Sequence, residues 1–425
     1  AVLMDGADTV LPGAYVAVEG GRISSVGAVR PQGPFDREID CGNNVLMPGL
    51  VNAHTHIPMT LLRGYGGGGD LHTWLNQYIF PAEARLDSRA VAAGTGLGLA
   101  EMIASGVTCV ADMYMHTGTI AEQILEAGIS ANLSCGGVYF GAPEDFSPET
   151  CGDCRNQAAL TEEWHGAGAG EILVDASVHG EYTSNPPLWR WMAEYAAEHR
   201  LGMHVHVSET QSEHQASLER WGKTPIQALD GCGVWDCGRS LAAHCVYTTE
   251  EDWALMVEKG ISCVHNPWSN LKLGSGVAPI PAMMRAGVNV ALGTDGMSSH
   301  NSADLFSDIK LAAVLHNGVE RDPMAVNAWA ALEMATVNGA RALGRDTGVI
   351  APGKTADLIL VDLSAPNLIP CHDPVEDLVF SAHGSNVEMN MARGQVIYEK
   401  GSFLTLDLER VRWEVEHYAL PLIFG

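Results

Sequence analysis

The stretch LVNAHTH ends in two histidines two apart, His54 and His56. Residues i and i+2 of a strand point to the same side, so both imidazoles can bind one ion. Other apolar runs close on residues of similar chemistry. GVTCVADM ends at Asp112, EILVDASVH at His179, LGMHVHV at His206, SLAAHCV at His244, ISCVHN at His265 and Asn266, and VNVALGTD at Asp295. Zinc accepts imidazole nitrogen and carboxylate oxygen at roughly 2.0–2.2 Å, and a catalytic site holds about three or four such ligands beside a water. His54, His56, His206 and Asp295 make that set. His204 shares a face with His206. His206 is assigned as the ligand because it lies nearer the strand's end, which leaves His204 as an inner core residue.

An ion held there lowers the pKa of a bound water toward ~7. Asp295 is placed to act as ligand and base together. Glu209, three residues beyond His206 in HVSET, is the candidate proton donor, although a carboxylate there can also be a solvated helix start. His244 can orient the nucleophile or stabilise developing charge. The first lysine of the chain is Lys223. No lysine on the fourth strand can therefore bridge a pair of metals, and one divalent ion is expected. Zinc suits three histidines and an aspartate, and iron or manganese can also occupy such a set.

These residues need a scaffold that gathers strand ends. Between residues 46 and 349, short apolar runs alternate with Ala/Glu/Leu-rich segments such as RAVAAGTGLGLAEMIASG. Eight strands with helical crossovers predict an α/β fold, a (β/α)8 barrel whose active site lies at the C-terminal strand ends. A doubly wound open sheet is the alternative. Strand-and-turn texture at both chain ends, AYVAVEGGRISSVGAV early and VEMNMARGQVIYEKG late, predicts a small β-sandwich built from the two ends. The expected division is residues 1–48 for its first half, 49–349 for the barrel, 350–405 for its second half and 406–425 for a helical tail.

The formal net charge of −27 argues against nucleic acid or an anionic membrane surface as partner, since both need clustered Lys and Arg. No apolar run spans a bilayer and no secretory leader is visible, so a cytoplasmic setting is expected. Ten scattered cysteines do not form a disulfide framework. Cys151 and Cys154 make a single C-x-x-C, which without a second pair is weak evidence for structural zinc. The apolar residues of VRWEVEHYALPLIFG can pack on the sandwich or on a second copy, so a homo-oligomer is possible.

PGLVNAHTH, FPAEARL, HVSET, AAHCV, HNPWSNLKLGSGVAPI, GTDG and the closing GVIAPGKTADLILVD together resemble the amidohydrolase superfamily. The closer similarity is to its 5′-methylthioadenosine/S-adenosylhomocysteine deaminase and triazine chlorohydrolase subgroup, over nearly the whole chain. That resemblance implies the same four metal ligands, with Glu209 as proton donor to purine N1 and His244 orienting hydroxide. It further implies Glu83 at the ribose hydroxyls, His179 as a nucleoside contact and Trp74 in the apolar wall. The plain structural readings are a helix-end salt bridge, a satisfied barrel histidine and a packed aromatic. The implied reaction is deamination of a small-molecule nucleoside to its inosine-type product. Relatives that hold an amino-acid tail carry an Arg after strand three and another at the next helix start. Here Cys135 stands near the first position and Arg155 near the second. Methylthioadenosine or adenosine is therefore expected ahead of S-adenosylhomocysteine. Deamination of guanine or a pterin, or dechlorination of a triazine, is the alternative on the same scaffold. A non-catalytic relative would have lost metal ligands, and none is lost here.

Overall fold

A computed structural model of the chain describes residues 1–67 and 71–425. The apolar runs become parallel strands because both of their faces are covered. In β4 (Leu50–His56) only the last residue is not fully buried, and in β5 (Val107–Met113) all seven are buried. One five-stranded sheet runs β13 (Asp295–Gly296), β4, β5, β6 (Ser130–Ser134), β7 (Ile172–Val174). A second runs β12 (Val290–Leu292), β11 (Ile261–His265), β10 (Ser240–His244), β9 (Met203–Val207), β8 (Ala176–Gly180). Every pairing in both is parallel. Helices such as Ser88–Ala104, Gly152–Trp164 and Glu250–Lys259 connect successive strands, as parallel pairing demands.

The chain passes from one sheet to the other at two seams. Asp175 alone separates β7 from β8, and Gly293 and Thr294 alone separate β12 from β13. At the first seam the buried Asp175 carboxylate pairs with Arg239 and accepts from Asn132 Nδ2 at 2.9 Å. At the second, a Cβ on Gly293 would lie 2.6 Å from Asn266 Oδ1 and 2.8 Å from the His54 carbonyl. Only glycine allows β12 to run that close behind His54.

The apolar run over residues 44–54 is not one strand. It divides at Gly49 into β3 (Val45–Pro48) and β4. β3 pairs antiparallel with β14 (Leu358–Val361). β14 continues into an antiparallel sheet with β15 (Val387–Ala392), β16 (Gln395–Glu399) and β17 (Ser402–Phe403). β1 (Tyr15–Glu19) and β2 (Arg22–Gly27) form a hairpin, and Ile23 packs with Ile350, Ala356 and Leu358. Strands from the two chain ends therefore meet. The last residues are helical from Leu408 to Phe424, and Val411, Val415, Ala419 and Ile423 are buried on one face at i, i+4 spacing. That face packs on the same chain: Arg85 donates to the Ile423 carbonyl at 2.5 Å, and Tyr418 donates to Asp87. No helix is long and apolar enough to cross a membrane, among the described residues.

Candidate active site

His54, His56, His206 and Asp295 lie at the ends of β4, β9 and β13, with ligand atoms all within 4.8 Å of one another. His54 Nε2 and His56 Nε2 are 3.3 and 3.2 Å from Asp295 Oδ1, and His56 Nε2 is 3.3 Å from His206 Nε2. Two ligand atoms on one ion at ~2.1 Å sit roughly 3–4 Å apart, which is the spacing of these three pairs.

The outer hydrogen bonds explain why these nitrogens face inward. His56 Nδ1 meets the Met113 carbonyl at 2.5 Å and His206 Nδ1 meets the His179 carbonyl at 2.6 Å. A carbonyl only accepts, so both Nδ1 atoms carry a proton, and each ring in its neutral form turns the Nε2 lone pair inward. Those lone pairs point at each other. His54 Nε2 is fully buried without a hydrogen-bond partner. One proton can bridge a single pair of these acceptors, whereas one metal ion satisfies all four. The donor set therefore fits zinc.

The strand-five assignment separates two histidines of one face. His206 joins the ligand group. His204 lies behind it, its Nε2 2.8 Å from His54 Nδ1 and its Nδ1 3.4 Å from Ser134 Oγ. It is more than the inner core residue expected, because it orients a ligand. Asp295 Oδ2 accepts from Ser269 Oγ at 2.6 Å and Ser299 Oγ at 3.0 Å, which leaves Oδ1 toward the histidines. His244 and Asp295 both adopt left-handed backbone, φ 73° and 60°. Such strain costs about 1–3 kcal/mol per residue and persists where the surroundings impose it.

Glu209 is buried, and burial raises its carboxyl above the ordinary value, which favours the protonated form a general acid needs. Its Oε1 accepts from Ser275 Oγ at 3.2 Å and its Oε2 lies 3.7 Å from His244 Nε2. Its backbone is pinned as well. Glu213 accepts from the amides of Ser208 and Glu209 at 2.8 and 2.7 Å. His244 Nδ1 lies 2.8 Å from Asn270 Oδ1 and 3.3 Å from Asn266 Nδ2, which leaves Nε2 to face Glu209.

This group opens into a cavity of about 300 Å³ whose wall includes His56, His206, Glu209, His244 and Asp295. Trp74, Glu83 and His179 line it too. Glu83 is buried and accepts from Tyr114 Oη at 2.6 Å, not from a cation as a helix-end salt bridge would. His179 Nδ1 lies 3.1 Å from Thr183 Oγ1. Arg155 is not brought to the cavity: it is exposed, and its Nη1 donates to the Glu149 carbonyl at 3.0 Å. Cys151 and Cys154 are buried and free, outside the ligand group. His265 is also elsewhere, its Nε2 3.0 Å from His316 Nε2. Sequence reasoning passed over Glu213, Tyr114 and Asn270. Asn270 lies inside HNPWSNLKLGSG, and Glu213 lies one helical turn from Glu209, so both left a faint signal.

An inward-facing His3Asp set with a buried acid beside it defines a metal-dependent hydrolase, and the chain belongs to the amidohydrolase family, whose model matches residues 45–397. It is 42% identical over 420 residues to the 5-methylthioadenosine/S-adenosylhomocysteine deaminase of Caldanaerobacter subterraneus, covering 98% of this chain and 96% of that one. It is 40% identical over 408 residues to the 5′-deoxyadenosine deaminase of Methanosarcina mazei, with 96% and 93% covered. Its fold superposes with a TM-score of 0.90 on a crystal structure of an adenosine deaminase from Xanthomonas campestris with bound zinc, at 32% identity, covering 99% and 96%.

Proposed function

We propose that the chain deaminates adenosine-type nucleosides hydrolytically, exchanging the C6 amino group for oxygen and releasing ammonia. The observation that carries this is Glu209, a buried carboxyl with raised pKa beside the ligand group and in one cavity with Glu83. When His54, His56, His206 and Asp295 hold zinc, the ion supplies a water acidified toward ~7 as nucleophile. Asp295 takes the proton of that water, its Oδ2 anchored by Ser269 and Ser299. His244, its Nδ1 engaged by Asn270, accepts a hydrogen bond at Nε2 and orients the attack. Glu209 protonates N1 as C6 becomes tetrahedral; the amine then leaves as ammonia on the proton that Asp295 took from the water, and the C6 hydroxyl returns its proton to Glu209. Glu83 keeps an oxygen for ribose hydroxyls beyond the one Tyr114 engages. His179 contacts the sugar and Trp74 walls the base.

Ammonia release from methylthioadenosine, adenosine and guanine, and chloride release from a chlorotriazine, measured side by side on zinc-loaded protein, test the reading. Turnover of the nucleosides is expected. Turnover of guanine or the triazine alone overturns it.

The reading includes an architecture and a setting. The two parallel sheets close into one (β/α)8 barrel over residues 49–349, supported by the two seams of one and two residues. Residues 1–48 and 350–405 form a β-sandwich against it, and 406–425 a helical tail. The enzyme works in the cytoplasm. Exposed Trp413, Leu422 and Phe424 offer a face for a homo-oligomer, which sedimentation tests directly.

A further inference from the structure

The cavity at the ligand group adjoins a second one of about 480 Å³, and Met115, Cys135 and Asp153 belong to the walls of both. Asp153 thus stands where a substituent leaving the nucleoside pocket would pass. Its Oδ2 accepts from the Val138 amide at 2.7 Å, and Asn156 is its other hydrogen-bonding neighbour. Among the described residues no Lys or Arg is paired with it. Among the described residues, neither cavity has a Lys or Arg in its wall. Glu163 adds a second acid to the outer chamber, against the single titratable base His116. Arg155, two positions along the same helix, points its charge to the Glu149 carbonyl at the surface.

We propose that Asp153 sets the charge preference for the substrate's 5′ substituent: the enzyme favours a cationic tail over a neutral one, and a neutral one over a carboxylate. This rests on the nucleoside deaminase reading and extends it to the chemistry beyond the ribose. A carboxylate desolvated beside Asp153 meets a like charge with no counter-ion, while an ammonium finds an acceptor already held in place. A zwitterionic amino-acid tail combines both effects and so reports neither.

The test uses two charged thioethers of matched reach, the 5′-(3-aminopropylthio) and 5′-(2-carboxyethylthio) derivatives of 5′-deoxyadenosine, with the shorter 5′-methylthio compound as the common reference. The kcat/KM of each charged compound is expressed relative to the methylthio compound. The wild-type enzyme should prefer the aminopropyl to the carboxyethyl compound by more than tenfold. Asp153→Asn keeps an oxygen for the Val138 amide, and should shrink that preference by about tenfold, the equivalent of about 1.4 kcal/mol. Asp153→Lys should invert it. Turnover of the methylthio compound with a charge preference that Asp153→Asn leaves unmoved overturns this inference alone. A wild-type preference for the carboxylate does the same. Silence on all three with adenosine still turned over overturns this inference alone, and silence on adenosine as well overturns the nucleoside reading with it.

Discussion

His204 does not touch the proposed metal, yet it decides how a ligand faces it. His54 Nδ1 must carry the proton if Nε2 is to bind, and His204 Nε2 is the acceptor 2.8 Å away. His204→Ala should therefore weaken zinc affinity by roughly 10–100-fold without abolishing it, as read by competition with a chromogenic chelator. His206→Ala should lose both metal and turnover. The reverse pattern would exchange the two roles on β9. Glu209→Gln keeps the shape and removes the proton, so turnover should fall by about 10²–10⁴-fold while zinc content stays stoichiometric. At this scale the ligands were legible because a strand end is a place: alternation along β4 and β9 aims His54, His56 and His206 inward. What alternation does not reveal is depth. His204 is the second residue of β9 and His265 the last of β11, and each is paired with another histidine, His54 in one case and His316 in the other.

The helix Gln211–Trp221 begins where the acid is needed. Thr210 caps it by accepting from the Glu213 amide at 3.1 Å, and the Glu213 carboxylate folds back to hold Ser208 and Glu209. Burial, reinforced by the charge of Glu209, pushes the Glu213 carboxyl up to about 8. An acid whose folded pKa exceeds its unfolded one binds more protons in the native state, so its contribution to stability is complete below ~4.5 and is lost as pH rises toward ~8. Urea unfolding across that window should show wild-type stability falling relative to Glu213→Gln. A parallel pair of profiles would refute the coupling. The elements themselves were read well where they are long and apolar. The break within residues 44–54 has a specific cause. Gly49 approaches Thr108 so closely that a Cβ there would lie 2.3 Å from its side chain, and the chain changes sheets at that point without any polar break. Periodicity registers a change in pattern, and here the pattern stays apolar on both sides of the turn.

The chain closes on itself at its far ends. The terminal helix buries Ile423 against its own chain, and Ile423→Ala should cost about 2–5 kcal/mol, measured by chemical denaturation with the zinc content held fixed. Removing the metal with a chelator should lower the melting temperature as well, since an ion bound only by the native state stabilises it. The meeting of the ends was foreseen from their shared strand-and-turn texture, but the pairing of β3 with β14 was not, because register between distant segments leaves no local trace. That pairing has a consequence for how the molecule is born. Asn44 reaches Glu388, 344 positions away, so β3 leaves the ribosome early and waits for a partner translated near the end. Both parallel sheets, and with them all four ligands, have been synthesised once Gly296 emerges. The nascent chain is then equipped to capture zinc while one sheet edge is still bare, and an unpaired edge is the surface on which strands pair wrongly. All four ligands are thus in the chain before β14 exists to cover that edge, and the interval is the stretch of synthesis in which the chain most needs shielding.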